Sequence, residues 1–225
     1  MSVADKISYF QSQLKDTNCR LIAVSKTHPP AAILEAYAAG QRLFGENKVQ
    51  ELTSKQEVLP ADIEWHLIGH LQTNKVKYIA PFVHTIQSVD SLKLFQEINK
   101  QALRHNRIIN CLLQIYIAEE ESKFGLSPAE AHEILSAEAF IELDHVRITG
   151  VMGIATNTSS EAQLQKEFRY LKNTFNHLKT NFFAQEATFK EISMGMSSDF
   201  KLAIAEGSTM IRVGSSIFGA RDYSK

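Results

Sequence analysis

LIAVSKTHPP, residues 21–30, is the stretch that decides between two candidate folds of this chain, a barrel and an open doubly wound sheet. Its four apolar residues, 21–24, have the composition of a buried strand, which ends in Ser25 and Lys26 before a Thr-His-Pro-Pro turn. An open doubly wound sheet places a glycine-rich phosphate turn at this point, and neither a GxGxxG nor a Walker pattern occurs in the chain. The stretch therefore favours a barrel, and it leaves an amine at the end of a buried strand to be explained.

Seven further strand-like runs follow at intervals that leave room for helices between them. They are RLFGEN (42–47), EWHLIG (64–69), TIQSVD (85–90), INCLLQIYIA (109–118), VRITGVMGIA (146–155), EISMGM (191–196) and MIRVGSSIFG (210–219). The runs are apolar rather than alternating, which is typical of parallel strands that are covered on both faces. Eight such strands predict an α/β fold, a (β/α)8 TIM barrel, formed as a single domain over residues 1–225.

Helical patterns fill the intervals between these runs. Apolar residues spaced by three and four predict one long buried face, formed by Leu164, Phe168, Leu171, Phe175 and Leu178. A second helix is predicted to start at Pro29 and Pro30 and to end at Gly40, with an apolar stripe of Ile33, Leu34, Tyr37 and Ala38. Segments 91–103 and 127–141 also read as helices, and residues 3–14 predict one extra helix before the first strand.

The composition narrows the possible partners of the chain. Its 225 residues are 44% hydrophobic and 22% charged, with a formal net charge of -1, so no basic field exists to attract nucleic acid. No run approaches the ~18 apolar residues of a membrane span, and we expect a cytoplasmic monomer that binds neither nucleic acid nor membrane. Cys19 and Cys111 lack disulfide or zinc-site spacing. They are predicted to be buried thiols, and no metal site is expected.

The residues that carry chemistry fall at the carboxyl ends of the predicted strands, where barrels collect their active sites. Lys26 ends the first strand, where desolvation favours the neutral amine that condenses with a carbonyl group. Near the seventh and eighth strands, Ser197, Gly214 and Ser215 offer hydroxyls and backbone N–H groups to a phosphate, although Ser197 or Ser198 would serve equally well as a helix cap. Together these groups predict a site for a phosphate-bearing aldehyde.

Six motifs give the chain a resemblance to a known family. They are AVSKTHPP, FGENKVQEL, WHLIGHLQTNKVK, EESKFGLS, GVMGIAT and SMGMSSDFKLAIAEGSTMIRVGSSIFGAR. Over residues 21–221 the chain resembles the pyridoxal phosphate homeostasis protein family, also called the YggS or PROSC family. The resemblance implies a barrel of fold type III, related to the barrel domain of alanine racemase. It also implies that the lysine of the AVSK segment carries pyridoxal 5′-phosphate (PLP), without robust catalytic turnover.

The resemblance assigns roles to the residues already singled out at the strand ends. Lys26 would form the Schiff base with PLP, and Arg212 would face the pyridine nitrogen of the cofactor. The phosphate would be held by Ser197, Gly214 and Ser215.

The resemblance also assigns a cofactor pocket to residues that sequence context alone leaves ambiguous. These are Asn47, near the ring substituents, and the lining residues His66, Ile68, Met152 and Met194. In their sequence context His66 and the methionines read as core residues, and only the resemblance places them at the cofactor. The chain departs from the family pattern at Lys48, where Tyr is common, and at Ser215, where Thr is common.

The sequence favours a binding protein over an enzyme. PLP stabilises carbanions best when its ring nitrogen is protonated, and Arg212 cannot accept that proton. Racemases of this fold type take a second base from another domain, and we expect no further domain after Lys225. The prediction is a protein of PLP homeostasis, without catalytic residues, that passes PLP to apo-enzymes. The alternatives are a weak amino-acid racemase or transaminase and a Schiff-base aldolase acting on a sugar phosphate.

Overall fold

Eight parallel strands close into one barrel in chain order, as the sequence predicts. A computed structural model describes residues 1–120 and 124–219 of the chain. The strands are β1 (Arg20–Val24), β2 (Leu43–Glu46), β3 (Glu64–Leu67), β4 (Thr85–Val89), β5 (Ile109–Gln114), β6 (Val146–Met152), β7 (Glu191–Ser193) and β8 (Met210–Val213). The barrel closes where β1 pairs with β8, from Arg20 opposite Met210 to Ala23 opposite Val213. The (β/α)8 architecture is therefore confirmed.

Helices connect the strands on the outside of the barrel. The α-helices of the described residues are α1 (Val3–Leu14), α2 (Pro30–Ala38), α3 (Val49–Gln56), α4 (Val76–Ile79), α5 (Leu92–Arg104), α6 (Pro128–Ser136), α7 (Glu138–Ile141), α8 (Glu161–Asn181), α9 (Phe200–Ala205) and α10 (Ser215–Phe218). A short 3₁₀ helix, Thr73–Lys75, precedes α4. The extra N-terminal helix has the predicted bounds, because Ser2 and Asp5 form a capping box at its start.

The core lies between the strands and these helices. The five predicted apolar residues of α8 are all buried, with exposed fractions of 8% or less. The stripe predicted for α2 is only partly correct, because Ile33 is fully buried while Leu34 is 43% exposed. Helix α2 ends at Ala38, and Gly40 follows it at φ +91°, a conformation that favours glycine.

Two sequence predictions of the elements were wrong. Residues 210–219 were predicted as one strand, but β8 ends at Val213 and residues 215–218 form α10. Segment 127–141 was predicted as one helix, but Ala137 adopts an extended conformation (φ -70°, ψ 132°) that separates α6 from α7. In both places apolar residues occur before and after the point where the backbone changes direction, so composition alone did not mark the boundary.

Three further sequence features can be compared with the described residues. Cys19 and Cys111 are buried, as predicted, and burial raises the pKa of both thiols, that of Cys19 to about 11. Within residues 1–120 and 124–219, none of the helices combines the length and the apolar character that a membrane crossing requires. Lys123, in the motif EESKFGLS, and Arg221, at the end of the last motif, lie outside the described residues.

Candidate functional site

A cavity of about 390 Å³ opens at the carboxyl ends of the barrel strands. Its described lining residues are Val24, Lys26, His28, Asn47, Ile68, Ile154, Asn157, Met196, Ser197, Ser198, Arg212, Gly214 and Ser215. They lie at the ends of β1 and β8, in the loops that follow β1, β2, β3, β6, β7 and β8, and at the start of α10. This is the end of the barrel at which the fold normally places its chemistry, and the volume is within the usual range for small ligands.

The cavity brings together most of the residues that the sequence singled out. Those that line it are Lys26, Asn47, Ile68, Ser197, Arg212, Gly214 and Ser215. Within the described part of the chain, the other three predicted residues, His66, Met152 and Met194, are not among the lining residues. They lie in the buried interior, at 1%, 0% and 0% exposure, which is the core environment that their sequence context indicated.

Several lining residues were not assigned to the site from the sequence. Val24, His28, Ile154 and Asn157 received no role, while Met196, at the predicted end of the seventh strand, was expected only to pack around the ring and was not named as a site residue. Val24 ends β1 and Ile154 follows the end of β6 by two residues, so their strand-end position was the available signal. The side chains of His28 and Asn157 lie in loops, where sequence pattern gives no direction for a side chain.

A buried ion pair lies directly beneath the Lys26 segment. Ser25, the residue before Lys26, is fully buried and donates from Oγ to Glu46 Oε1 at 2.6 Å. Lys55 Nζ donates to the same oxygen at 2.7 Å and to the Ser25 carbonyl at 2.8 Å. Burial raises the pKa of Glu46, and the nearby Lys55 ammonium and Ser25 hydroxyl oppose that shift. The backbone at Ser25 is therefore fixed from both its side chain and its carbonyl.

The residue after Lys26 is held in an uncommon conformation. Thr27 has φ +67°, a region that non-glycine residues seldom occupy. Its backbone N–H donates to Glu51 Oε2 at 2.8 Å, and Glu51 in turn lies 3.4 Å from Lys55 Nζ. The backbone on both sides of Lys26 is thus tied to one network of charged residues from β2 and α3, and the sequence analysis assigned no role to any of them.

A second wall of the cavity is built from small residues and hydroxyls, at the ends of β7 and β8. Ser215 Oγ donates to Ser197 Oγ at 3.4 Å, so two chain segments 18 residues apart present hydroxyls at one point. A Cβ atom on Gly214 would lie 3.1 Å from the Val24 carbonyl oxygen, closer than ordinary contact. The absence of a side chain at Gly214 therefore lets the end of β8 approach the end of β1.

The loop before α9 differs from the sequence prediction in its cap. Asp199, not Ser197 or Ser198, occupies the N-cap position, and its Oδ1 accepts a hydrogen bond from the Met196 backbone N–H. The two serines are consequently left on the cavity side of the loop. Gly195 has φ +93°, and a Cβ there would lie only 2.5 Å from Ala203 Cβ of α9. Only glycine fits this turn without displacing α9.

Arg212 supplies the fixed positive charge of the cavity. It is 5% exposed, and its guanidinium donates to Ser193 Oγ at 2.6 Å and to the Gly153 carbonyl at 2.8 Å. Burial lowers the pKa of Arg212 to about 10, with the charge of Asp199 opposing the shift, so the side chain remains protonated at neutral pH. Arg212 can therefore donate hydrogen bonds to a ligand, but it cannot serve as a general base.

A chain of hydrogen bonds continues from Arg212 into the barrel interior. Ser193 Oγ donates to Gln87 Oε1 at 2.7 Å, and Gln87 Nε2 lies 2.9 Å from His66 Nδ1. Gln87 and Ser193 are both fully buried. His66, predicted to line the cofactor pocket, is thus connected to the cavity through two intervening side chains.

The geometry combines a primary amine, a guanidinium and paired hydroxyls around one small cavity. An amine can condense with an aldehyde, while hydroxyls and a cation suit the oxygens of an anionic group. The arrangement therefore suits a small phosphorylated carbonyl compound.

Comparisons with known proteins agree with this reading of the cavity. Residues 2–222 match the family model described as the N-terminal domain of alanine racemase. The pyridoxal phosphate homeostasis protein of Escherichia coli K12 is 41% identical over 229 residues, covering 99% of this chain and 95% of the relative. That of Aquifex aeolicus is 39% identical over 208 residues, covering 92% of this chain and 89% of the relative.

Solved structures show the same relationship. PipY of Synechococcus elongatus PCC7942, solved with PLP bound, superposes with a TM-score of 0.87 at 40% identity, covering 97% of this chain and 100% of that one. Alanine racemase from Bartonella henselae superposes with a TM-score of 0.73 at 16% identity, covering 100% of this chain and 62% of the racemase. That second likeness concerns the fold alone. The full-length matches at about 40% identity show that the chain belongs to the pyridoxal phosphate homeostasis protein family.

Proposed function

We propose that this chain binds PLP as a Schiff base on Lys26 and takes part in PLP homeostasis. In this assignment the Lys26 amine bonds to the aldehyde carbon, and the hydroxyls of Ser197 and Ser215 bind the phosphate together with the backbone at Gly214. Arg212 donates towards the ring, and Asn47 and Ile68 contact its substituents. The relatives named for PLP homeostasis and the PLP-bound structure of PipY support the choice of ligand.

One observation carries the proposal. The nitrogen-bearing side chain of Lys26 and the hydroxyl pair of Ser197 and Ser215 line the same cavity, although nearly the whole chain separates them in sequence. A PLP molecule needs both groups at once, the amine for its aldehyde and the hydroxyls for its phosphate. The cavity of about 390 Å³ accommodates a ligand of this size.

The chemistry of Arg212 supports binding without robust turnover. Bound PLP draws electrons from a substrate carbon most strongly when its ring nitrogen is protonated. Arg212 stays protonated at neutral pH and is fixed by Ser193 and Gly153. It therefore offers the ring a donor and no proton acceptor, which supports a carrier in preference to a weak racemase or transaminase.

The test is chemical trapping of the Schiff base. Wild-type protein incubated with PLP should show visible absorption that borohydride bleaches, and peptide mapping should then find the reduced pyridoxyl group on Lys26. Lys26→Ala should lose both signals completely. Lys93→Ala, which alters an exposed lysine of α5, should keep them. Labelling of another lysine in wild-type protein would contradict the assignment, and a colourless protein would favour the aldolase reading.

The absence of turnover and the delivery of PLP are tested separately. PLP-loaded protein should racemise alanine more slowly than about 1 s⁻¹, the lower end of ordinary enzyme rates; faster racemisation would make it an enzyme. Mixed with an apo PLP-enzyme, the loaded protein should restore that enzyme's activity. The single domain, the monomeric state and the cytoplasmic location expected from the sequence stay predictions.

A further inference from the structure

Three side chains of metal-ligand type meet at the amino ends of β3 and β4, away from the Lys26 cavity. Glu64 and His66 are alternate residues of β3, and His84 immediately precedes β4. Alternate residues of a strand share one face. The ligand atoms of these three side chains all lie within 4.8 Å of one another, and His84 Nε2 is 3.7 Å from Glu64 Oε2. The described lining of the Lys26 cavity includes none of them.

His66 is the buried member of this cluster, and in the described part of the chain one of its ring nitrogens has no partner. The residue is 1% exposed, and among the described residues its Nε2 atom has no hydrogen-bond partner. Burying a polar atom without a partner costs free energy, so native structures seldom retain one without a reason. A ligand seated between the three side chains would satisfy this nitrogen.

His84 and Glu64 complete the cluster from its solvent side. His84 Nδ1 lies 2.9 Å from Thr85 Oγ1, which directs the opposite nitrogen, Nε2, towards Glu64. The two side chains are 42% and 40% exposed, which leaves an entry path from solvent and freedom to adjust. The Nδ1 atoms of both imidazoles thus have side-chain partners, which leaves Nε2 as the candidate ligand atom of each ring.

The anchor of His66 is compatible with ligation after one local change. Ligation through Nε2 requires the proton to lie on Nδ1 and an acceptor to face it. Gln87 supplies that acceptor when its amide oxygen and nitrogen exchange places, because Ser193 Oγ can then accept the hydrogen bond that it otherwise donates.

The local charges permit a cation at this position. The guanidinium of Arg20 is paired with Glu191 at 2.7 Å. That of Arg107 is occupied by backbone carbonyls, at 2.6 Å and 2.8 Å. The carboxylate of Glu64 remains to offset the charge of an ion.

We propose that Glu64, His66 and His84 bind one divalent transition-metal ion, for which Zn²⁺ is the best match. Two imidazole nitrogens and one carboxylate form a known three-ligand set of zinc, with a fourth position for water. Ligand atoms around tetrahedral zinc lie about 3.3 Å apart, so the half-exposed His84 and Glu64 side chains would move inwards. The ion would join the amino ends of β3 and β4, the end of the barrel associated with stability.

The experiment is a calorimetric titration of Zn²⁺ into the full chain without an affinity tag. Wild-type protein should bind one equivalent, and His84→Ala should bind more than about 100-fold more weakly, because losing a ligand exceeds the 10–100-fold cost of losing a supporting residue. Glu64→Gln, which keeps the shape of the side chain, should weaken binding in the same direction. His177→Ala, at an exposed position of α8, is the matched control and should bind as wild type does.

Two further measurements characterise the bound ion. X-ray absorption of the zinc complex should show two imidazole nitrogens at about 2.0–2.1 Å. Zn²⁺ at about 100 times its dissociation constant should raise the melting temperature of wild-type protein by roughly 5–10 °C and should not raise that of His84→Ala. A wild-type protein that binds no Zn²⁺, or binding that His84→Ala and Glu64→Gln leave unchanged, would overturn the proposal.

Discussion

The two walls of the Lys26 cavity are constructed by different physical means. On the amine side, the backbone at Ser25 and Thr27 is tied to charged side chains that are largely removed from water, chiefly Glu46 and Lys55. On the hydroxyl side, the loops are shaped by Gly195 and Gly214, where the absence of a side chain allows close packing. One wall depends on charges that must remain paired, the other on space that must remain unfilled.

The two constructions suit the different tasks of the two walls. A reactive amine needs a fixed backbone, because small displacements of a reacting group are costly. The hydroxyl wall has to bring two distant segments together, with Ser197 and Ser215 hydrogen-bonded across the gap. Substitutions in the first wall should therefore destabilise the protein by leaving a buried charge unpaired. Substitutions in the second wall should destabilise it by steric overlap.

The largest effect on stability is expected on the amine side. Lys55→Met keeps the length of the side chain but leaves Glu46 buried without its cation. Removing one partner of a buried ion pair costs about 3–5 kcal/mol, so the free energy of unfolding in urea should fall by that amount. Lys93→Met, at an exposed position, should change it by less than about 0.5 kcal/mol. Equal losses in the two variants would mean that the ion pair does not support this wall.

An intermediate effect is expected on the hydroxyl side at Gly195, for which Gly40, after the end of α2, is a matched control. Gly195 and Gly40 have nearly the same φ, +93° and +91°, but only at Gly195 would a new Cβ meet neighbouring atoms within 4 Å. Both Gly→Ala variants should lose about 1–2 kcal/mol from backbone strain. Gly195→Ala should lose roughly 1–3 kcal/mol more from overpacking against α9. Urea unfolding measures the free energy of unfolding of both variants. Equal losses would show that close packing against α9 does not constrain this wall.

The smallest effect on stability is expected from Glu51→Gln, and this effect depends on pH. Burial alone would raise the pKa of Glu51, but the hydrogen bond from Thr27 and the charge of Lys55 outweigh it and hold the pKa below the ordinary value of 4.5. A carboxyl group with a depressed pKa contributes stability above its unfolded-state pKa and loses it as pH falls through the folded-state value. Glu51→Gln should thus cost about 1 kcal/mol at neutral pH.

The pH dependence supplies the control for this variant. The stability difference between wild type and Glu51→Gln should shrink as pH falls below about 4.5, because the wild-type carboxyl group becomes protonated. Glu57→Gln, at an exposed position one turn and a half further on, should show no comparable difference at either pH. A Glu51→Gln deficit that stays constant down to acid pH would show that its charge does not hold Thr27.

The sequence predicts the barrel because hydrophobic burial repeats along the chain in a regular way. Each strand-like run corresponds to one observed strand, and the spaced apolar residues of α8 are buried as expected. The boundaries of the elements are harder to predict, because the apolar Ile217 and Phe218 extend the strand-like run while the backbone of residues 215–218 forms α10. At Gly214, where the direction changes, the end of β8 closely approaches Val24 of β1, and no local sequence pattern contains that contact.

The candidate site was predictable in its strand-end residues and not in its supports. Lys26, Arg212 and Ser215 could be selected because parallel strands of a barrel end at a common face. Glu46 and Lys55 could not, since a charged residue on a strand or helix is normally solvated, and only the fold shows that these two are buried together. His66 was assigned to the pocket by resemblance, but it is buried and does not line the cavity.

The covered cysteines bear on the chemoselectivity of the molecule. Sulfur nucleophiles add readily to aldehydes only when they are accessible, and they react fastest as thiolates. Cys19 and Cys111, the two cysteines of the chain, are buried and remain protonated at neutral pH. An aldehyde that enters the cavity can therefore react with the amine or the hydroxyls that line it. The cysteine thiols do not compete for its carbonyl carbon.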